Sequence, residues 1–162
     1  MCTITVKDKV FSTFLTEEQI KNEVAKTAEL INRDYEGKKP LFLAVLSGSF
    51  IFAADLLRSI NIPCEIAFIR VASYEGTNTT GEVKQVMGLK EDLTDRHVIV
   101  VEDIIDSGLT MKELLKILSD KGAADVSIAS LLVKPGNLKV DLDIKYKCFE
   151  IPNGILNENL VE

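Results

Sequence analysis

Cysteine, histidine and positive charge are all scarce in this chain. Three cysteines and one histidine occur in 162 residues. Cys2, Cys64 and Cys148 are odd in number and far apart. No paired metal spacing links them and no disulfide framework is implied, so they read as reduced thiols of a cytoplasmic protein. Acidic residues outnumber basic ones 25 to 19, giving a net charge of −6 and a pI near 4.9. That balance argues against a nucleic-acid coat or a protein of anionic membrane surfaces. The opening Met-Cys-Thr-Ile-Thr-Val has no basic n-region or long apolar core, so no signal peptide is expected. No apolar run is long enough to span a bilayer. Internal repeats, low-complexity stretches and interdomain linkers are also missing. A single domain over residues 1–162 follows, with an apolar content of 46% that suits a sizeable core.

What is present is an alternation of helix and strand signals. Thr16-Glu17-Glu18-Gln19 is a capping box, and Ile20, Val24, Ala28 and Ile31 then recur at helical spacing until Tyr35-Glu36-Gly37. The continuous apolar run Leu41 to Leu46 predicts a strand buried on both faces. Ser47-Gly48-Ser49 makes a loop, and Phe50 to Ile60 a helix. Asn61-Ile62-Pro63 turns the chain into a strand at Cys64 to Val71. Ser73 to Lys84 is polar and long for a connection, which marks a functional loop. A short strand is expected within Val83 to Leu89, and a charged turn at Lys90 to Arg96. Beyond these come a strand through Val98 to Val101, a helix from Met111 to a stop at Gly122, and a strand at Val126 to Val133. Lys134-Pro135-Gly136-Asn137 then turns into a last strand, Ile144 to Ile151. Alternation of this kind implies an α/β fold, a mostly parallel sheet with helices on both faces. Ligands in such sheets sit beyond the carboxyl ends of the strands. Ser47, Gly48, Glu102, Asp103 and Lys134 all fall at those ends. His97, at the opposite end of its strand, reads as structural.

The segment from Val98 to Thr110 carries the chemistry. A strand runs into the pair Glu102-Asp103, then Ile104-Ile105, then Asp106-Ser107-Gly108-Leu109-Thr110 at the head of a helix. A small-residue loop at a helix N-terminus receives anions, because unpaired backbone N–H groups and the positive end of the helix dipole point into it. The loop has no lysine and so is not a Walker A site. Flanking carboxylates would repel a bare phosphate. They make sense when the ligand also brings hydroxyls, or a divalent metal that bridges them. A sugar phosphate with Mg²⁺ is the ligand this pattern implies.

The same run resembles the signature of the type I phosphoribosyltransferases, and further segments resemble those of hypoxanthine (hypoxanthine-guanine) phosphoribosyltransferases. Leu46 to Leu56 is similar to their first loop and the helix that follows it. Ser73-Tyr74-Glu75-Gly76-Thr77, with Thr80-Gly81, is similar to the loop that closes over pyrophosphate. Ser130 to Lys134 and Phe149-Glu150-Ile151-Pro152 are similar to the lysine-bearing strand and to the entry into the hood over the base. The resemblance implies a twisted sheet core over about 16–140 and a small hood from 1–15 and 141–162. It implies 5-phosphoribosyl 1-pyrophosphate (PRPP) and a 6-oxopurine as substrates, and a homodimer or homotetramer. It also implies residue roles. Asp106 exchanges the proton at purine N7, as general base or acid. Ser107, Gly108, Leu109 and Thr110 hold the 5′-phosphate, and Glu102 and Asp103 face the ribose hydroxyls, directly or through Mg²⁺. Lys134 reads the purine O6, and Ile104 lies beneath the ring. Ser47 and Gly48 border the pyrophosphate, and Ser73 and Tyr74 cover the reacting carbon.

Two departures qualify those expectations. Ser47 stands where the family commonly has lysine. After Pro152 the chain runs Asn153 to Glu162; aligned without gaps, Ile155 and Leu156 take the base-stacking region and Glu162 falls on a metal-binding aspartate. An incomplete hood is therefore expected, which keeps open a catalytically weakened PRPP- or nucleotide-binding protein with a regulatory role. A receiver-type signalling domain also pairs acids after a strand and has a Lys-Pro, but it needs a different strand order. Asp106 could instead cap the helix, and Lys134 could be a strand-end lysine snorkelling to solvent.

Overall fold

A computed structural model describes residues 3–73 and 83–153. The chain begins with a hairpin, β1 (Thr3–Val6) and β2 (Lys9–Ser12), which forms its own antiparallel two-stranded sheet. The main sheet has six strands: β3 (Leu41–Val45), β4 (Glu65–Ser73), β5 (Val83–Met87), β6 (His97–Ile105), β7 (Asp125–Val133) and β8 (Tyr146–Glu150). Their order is β5-β4-β3-β6-β7-β8. Only β5 runs antiparallel, and the other neighbours pair in parallel.

Among the described residues three helices cover the sheet: α1 (Glu17–Asp34), α2 (Phe50–Arg58) and α3 (Leu109–Asp120). The capping box at α1 forms as the sequence predicts. Thr16 accepts from the Gln19 backbone N–H at 3.2 Å, and the Thr16 N–H donates to Gln19 Oε1 at 2.8 Å. The two-residue period of a strand sorts the core into two layers. Phe42, Ala44, Ile99 and Val101 point at Val24, Ala28 and Ile31 of α1 and at Phe52, Ala53 and Leu56 of α2. Their strand neighbours Leu41, Leu43, Val98 and Val100 point the other way, at Met111, Leu114 and Leu118 of α3. Helices on both faces and a largely parallel sheet are thus present.

The differences from the expected elements are local. The segment 1–15 is expected in the hood, and residues 3–12 of it form the hairpin; its residues are almost all exposed, so no buried stripe announces it. The strand expected at Cys64 extends to Ser73, and β6 continues through the acidic pair to Ile105. Helix α3 starts two residues early, at Leu109. No helix among the described residues is long and apolar enough to cross a membrane.

Candidate active site

The carboxyl ends of β3, β6 and β7 meet at one edge of the sheet, and most of the expected residues gather there. The turn from β6 into α3 is built around Gly108, which takes the N-cap position at φ 78°. This left-handed conformation is strained for any residue with a Cβ. A second constraint lies above the glycine. A Cβ there would sit 3.1 Å from Leu138 Cδ2 and 3.3 Å from side-chain atoms of Val140 and Leu142. Among the described residues no side chain caps the helix, and within the loop Leu109 N–H donates to Ser107 Oγ at 3.4 Å. The loop therefore keeps donors free for an anion. Its outer edge is tied down, since Lys139 N–H donates to the Ser107 carbonyl at 2.9 Å.

The acidic pair lies inside β6, so its two side chains leave on opposite faces. Glu102 lines a cavity of about 200 Å³ on the α3 side, together with Val45, Asp106, Ser107, Gly108 and Thr110. Asp103 faces the α1/α2 side, where it lines a cavity of about 710 Å³ with Gly48, Ile20 and Phe52. Ile104 borders both cavities. Burial, followed by the hydrogen bond and negative charge of Asp103, pushes the Glu102 carboxyl up to about 9. A carboxyl that is buried and stands beside a second acid holds its proton. Hydroxyl donors or a cation at this place would relieve that penalty.

Gly48 is needed by the protein itself. A Cβ at that position would come within 2.7 Å of Asp103 Oδ2. The atoms it meets are the end of a side chain, so a larger residue at position 48 would displace the Asp103 carboxylate. Ser49 then locks the loop to β3, with its hydroxyl donating to the Val45 carbonyl at 2.6 Å. Ser47 sits in the same loop and Ser73 ends β4. Tyr74, Ile155, Leu156 and Glu162 lie outside the described residues.

Asp106 does not cap α3. Its Oδ1 accepts from Asn137 Nδ2 at 2.8 Å, and its Oδ2 lies 3.9 Å from Lys134 Nζ. Lys134 is only 3% exposed, so the snorkelling alternative fails. A buried ammonium beside a carboxylate marks a functional site more often than a surface pair does. Asn137 is the residue sequence reasoning missed. It ends a 3-10 turn, Pro135–Asn137, and the pattern showed only that a turn was there.

Oxygen ligands for a divalent cation are available at Glu102 and Asp103. Among the described residues no three His, Cys, Asp or Glu side chains converge on one point. Because the two side chains leave on opposite faces, either carboxylate alone would face the ion directly, and one can suffice for Mg²⁺, which keeps several waters and takes its remaining oxygens from substrate phosphates. The residues present fit such an ion.

These elements define an α/β protein whose sheet ends in a glycine loop at a helix N-terminus, an acidic pair and a buried lysine. The sequence pattern of the phosphoribosyl transferase domain matches residues 12–161, and the chain belongs to that family. It is 35% identical over 149 residues to the hypoxanthine-guanine phosphoribosyltransferase of Streptococcus pneumoniae, covering 91% of this chain and 83% of that protein. The Streptococcus mutans enzyme of the same name is 42% identical over 142 residues, covering 85% of this chain and 77% of the relative. The crystal structure of a hypoxanthine phosphoribosyltransferase from Staphylococcus aureus superimposes with a TM-score of 0.83 at 34% identity. It covers 88% of this chain and 78% of that one.

Proposed function

We propose that this protein is a purine-salvage enzyme, a hypoxanthine-guanine phosphoribosyltransferase. It transfers phosphoribosyl from PRPP to hypoxanthine or guanine, giving the nucleoside monophosphate and pyrophosphate. The observation that carries the reading is the pairing of buried Lys134 with Asp106 beside an uncapped phosphate-type loop. A cation and a carboxylate less than 4 Å apart match the two edges of a 6-oxopurine, whose O6 accepts and whose N7 gives up a proton. The relatives named above are enzymes, and no finding favours a regulatory, non-catalytic protein.

Each group has a task in this reading. The backbone of Ser107, Gly108, Leu109 and Thr110 binds the 5′-phosphate, helped by the dipole of α3. Glu102 and Asp103 orient the ribose through its 2′- and 3′-hydroxyls. Asp106 takes the N7 proton as N9 bonds to the ribose carbon and pyrophosphate leaves. Lys134 donates to O6, which selects oxo- over aminopurines. Ile104 supports the ring from below. Ser47 and Gly48 border the departing pyrophosphate, and Ser73 and Tyr74 shield the reacting carbon from water. Glu102 and Asp103, with Glu162 expected to join them, would hold Mg²⁺, which would supply positive charge against the departing pyrophosphate. Ile155 and Leu156 are the expected contacts over the base, and the hairpin β1–β2 the base of the hood.

A homodimer or homotetramer fits an uncovered part of the sheet. Ile66, Phe68 and Met87 are 40%, 47% and 43% exposed on the face of β4 and β5 that lies beyond α2. A cytoplasmic setting fits Cys64 and Cys148, both free thiols that burial makes poor nucleophiles.

The test is a coupled assay for inosine monophosphate formed from hypoxanthine, PRPP and Mg²⁺. Formation that slows by roughly 10²–10⁴ in Asp106→Asn supports the reading. No product from either base, with PRPP still bound, would refute it.

A further inference from the structure

We propose that Asn137 is a positioning residue for catalysis, acting through Asp106; the inference rests on the assignment of Asp106 as the proton acceptor. The Asn137 amide donates to Asp106 Oδ1 at 2.8 Å, while Oδ2 is the oxygen nearer Lys134, at 3.9 Å. One carboxylate oxygen is thereby fixed to the protein and the other is presented to the site.

The turn that carries the amide is held from both sides, independently of the Asn137 side chain. Asn137 N–H donates to the Lys134 carbonyl at 3.1 Å, and Lys134 N–H donates to the Ile105 carbonyl at 3.0 Å. Past the turn, Lys139 N–H donates to Ser107, on the phosphate loop itself. Gly136 leaves space beneath Asn153; a Cβ there would fall 3.0 Å from the Asn153 amide nitrogen. One short, rigid segment therefore delivers the base-reading lysine, the amide that orients the acid, and a brace for the phosphate loop.

The choice of an amide has a physical consequence. Lys134 and Asp106 face each other in a partly buried place, where opposite charges attract strongly. With nothing holding Oδ1, the carboxylate would rotate onto the ammonium. A direct ion pair would then withdraw both groups from the purine edge. Asn137 donates without carrying charge, so it restrains the carboxylate without neutralising it. An ionised aspartate at this position is the same size but cannot donate, and it places a like charge against Oδ1.

The experiment compares the wild-type enzyme with Asn137→Ala, Asn137→Asp, Asn137→Gln, Asp106→Asn and the double variant Asn137→Ala/Asp106→Asn. The readouts are steady-state inosine monophosphate formation, PRPP affinity by calorimetry and Tm. Misplacing a reacting group by about 1 Å costs on the order of 10²-fold, so Asn137→Ala should lower kcat by about 10- to 100-fold. PRPP affinity should stay within about twofold, because the phosphate loop is untouched. Asn137→Asp should be slower than the alanine variant, and Asn137→Gln, which keeps the donor, faster. The double variant should be no slower than Asp106→Asn alone, since the amide acts only through that carboxylate. Should the alanine variant not fold, the isosteric Asp variant and the longer, donor-keeping Gln variant decide the matter by their order. Unchanged kcat in Asn137→Asp, or losses that multiply in the double variant, would overturn the inference while leaving the enzyme assignment intact. Wild-type turnover in Asp106→Asn would overturn both.

Discussion

The two ends of the parallel sheet solve opposite problems. At the amino end, polar side chains satisfy one another. Tyr35 donates to Ser127 Oγ at 2.8 Å and to Asp125 Oδ2 at 3.3 Å, and the other Asp125 oxygen meets the His97 ring. Tyr146 donates to Asp34 at 2.7 Å, and Lys145 lies over both tyrosine rings. At the carboxyl end the groups are held but left unfulfilled. Burial and the neighbouring Asp103 push the Glu102 carboxyl up, and among the described residues no side chain caps the start of α3. Both ends draw on strands β6 and β7 and their flanking segments, so strand propensity cannot explain the difference. One end staples the strands, and the other stores hydrogen-bonding capacity for a ligand.

Substitutions at the two ends should fail in different ways. The largest effect is expected at Gly108→Val. A β-branched side chain at φ 78° beneath Leu138, Val140 and Leu142 adds about 1–2 kcal/mol of backbone strain and fills the anion cradle. PRPP binding should vanish in calorimetric titration while circular dichroism still reports a folded chain. Retained affinity would remove the loop from phosphate binding.

Asp106→Asn comes next. It should lower kcat by roughly 10²–10⁴ with PRPP affinity little changed, because a base acts in the transition state. Lys134→Gln should weaken hypoxanthine and guanine use together by about 1–3 kcal/mol. PRPP binding in the absence of base should be spared. Equal losses for PRPP and base would make Lys134 a structural residue, and the contrast between the two ends would blur.

The smallest effect belongs to the amino end. Tyr35→Phe should leave kcat unchanged and cost about 1 kcal/mol of stability near pH 8 through the lost hydrogen bonds. Burial, and then the neighbouring Asp125, push the Tyr35 hydroxyl up to about 12. The folded state therefore keeps a proton that the unfolded chain releases above about pH 10. Stability from this group is complete below pH 10 and is lost as pH rises toward 12. The phenylalanine variant lacks that loss, so its deficit in Tm should shrink between pH 8 and pH 10.5. A deficit that grows instead would show that Tyr35 does not titrate as a buried phenol.

Most of the scaffold was legible in the chain because its cues are local. The capping box at Thr16, the apolar run at Leu41 and the helical stripe Met111, Leu114 and Leu118 each report a neighbour a few residues away. The exposed hairpin at residues 3–12 was not legible, since its alternation lacks a buried face. In the site, the order acid pair, Asp106, Gly108 could be read directly. The split of Glu102 and Asp103 onto opposite faces could not, because it depends on how far β6 continues.

By itself the sequence determined the mostly parallel sheet and the gathering of the acidic pair, Asp106 and the Gly108 loop at the carboxyl strand ends. Each of these follows from hydrophobic period and from the backbone chemistry of short loops, which act over a few residues. Only the tertiary structure decided that Gly48 makes room for Asp103 and that Asn137 holds Asp106. The first contact spans 55 positions and the second 31. Contacts at such separations depend on which strands become neighbours and on how a turn is braced, and no local pattern records them.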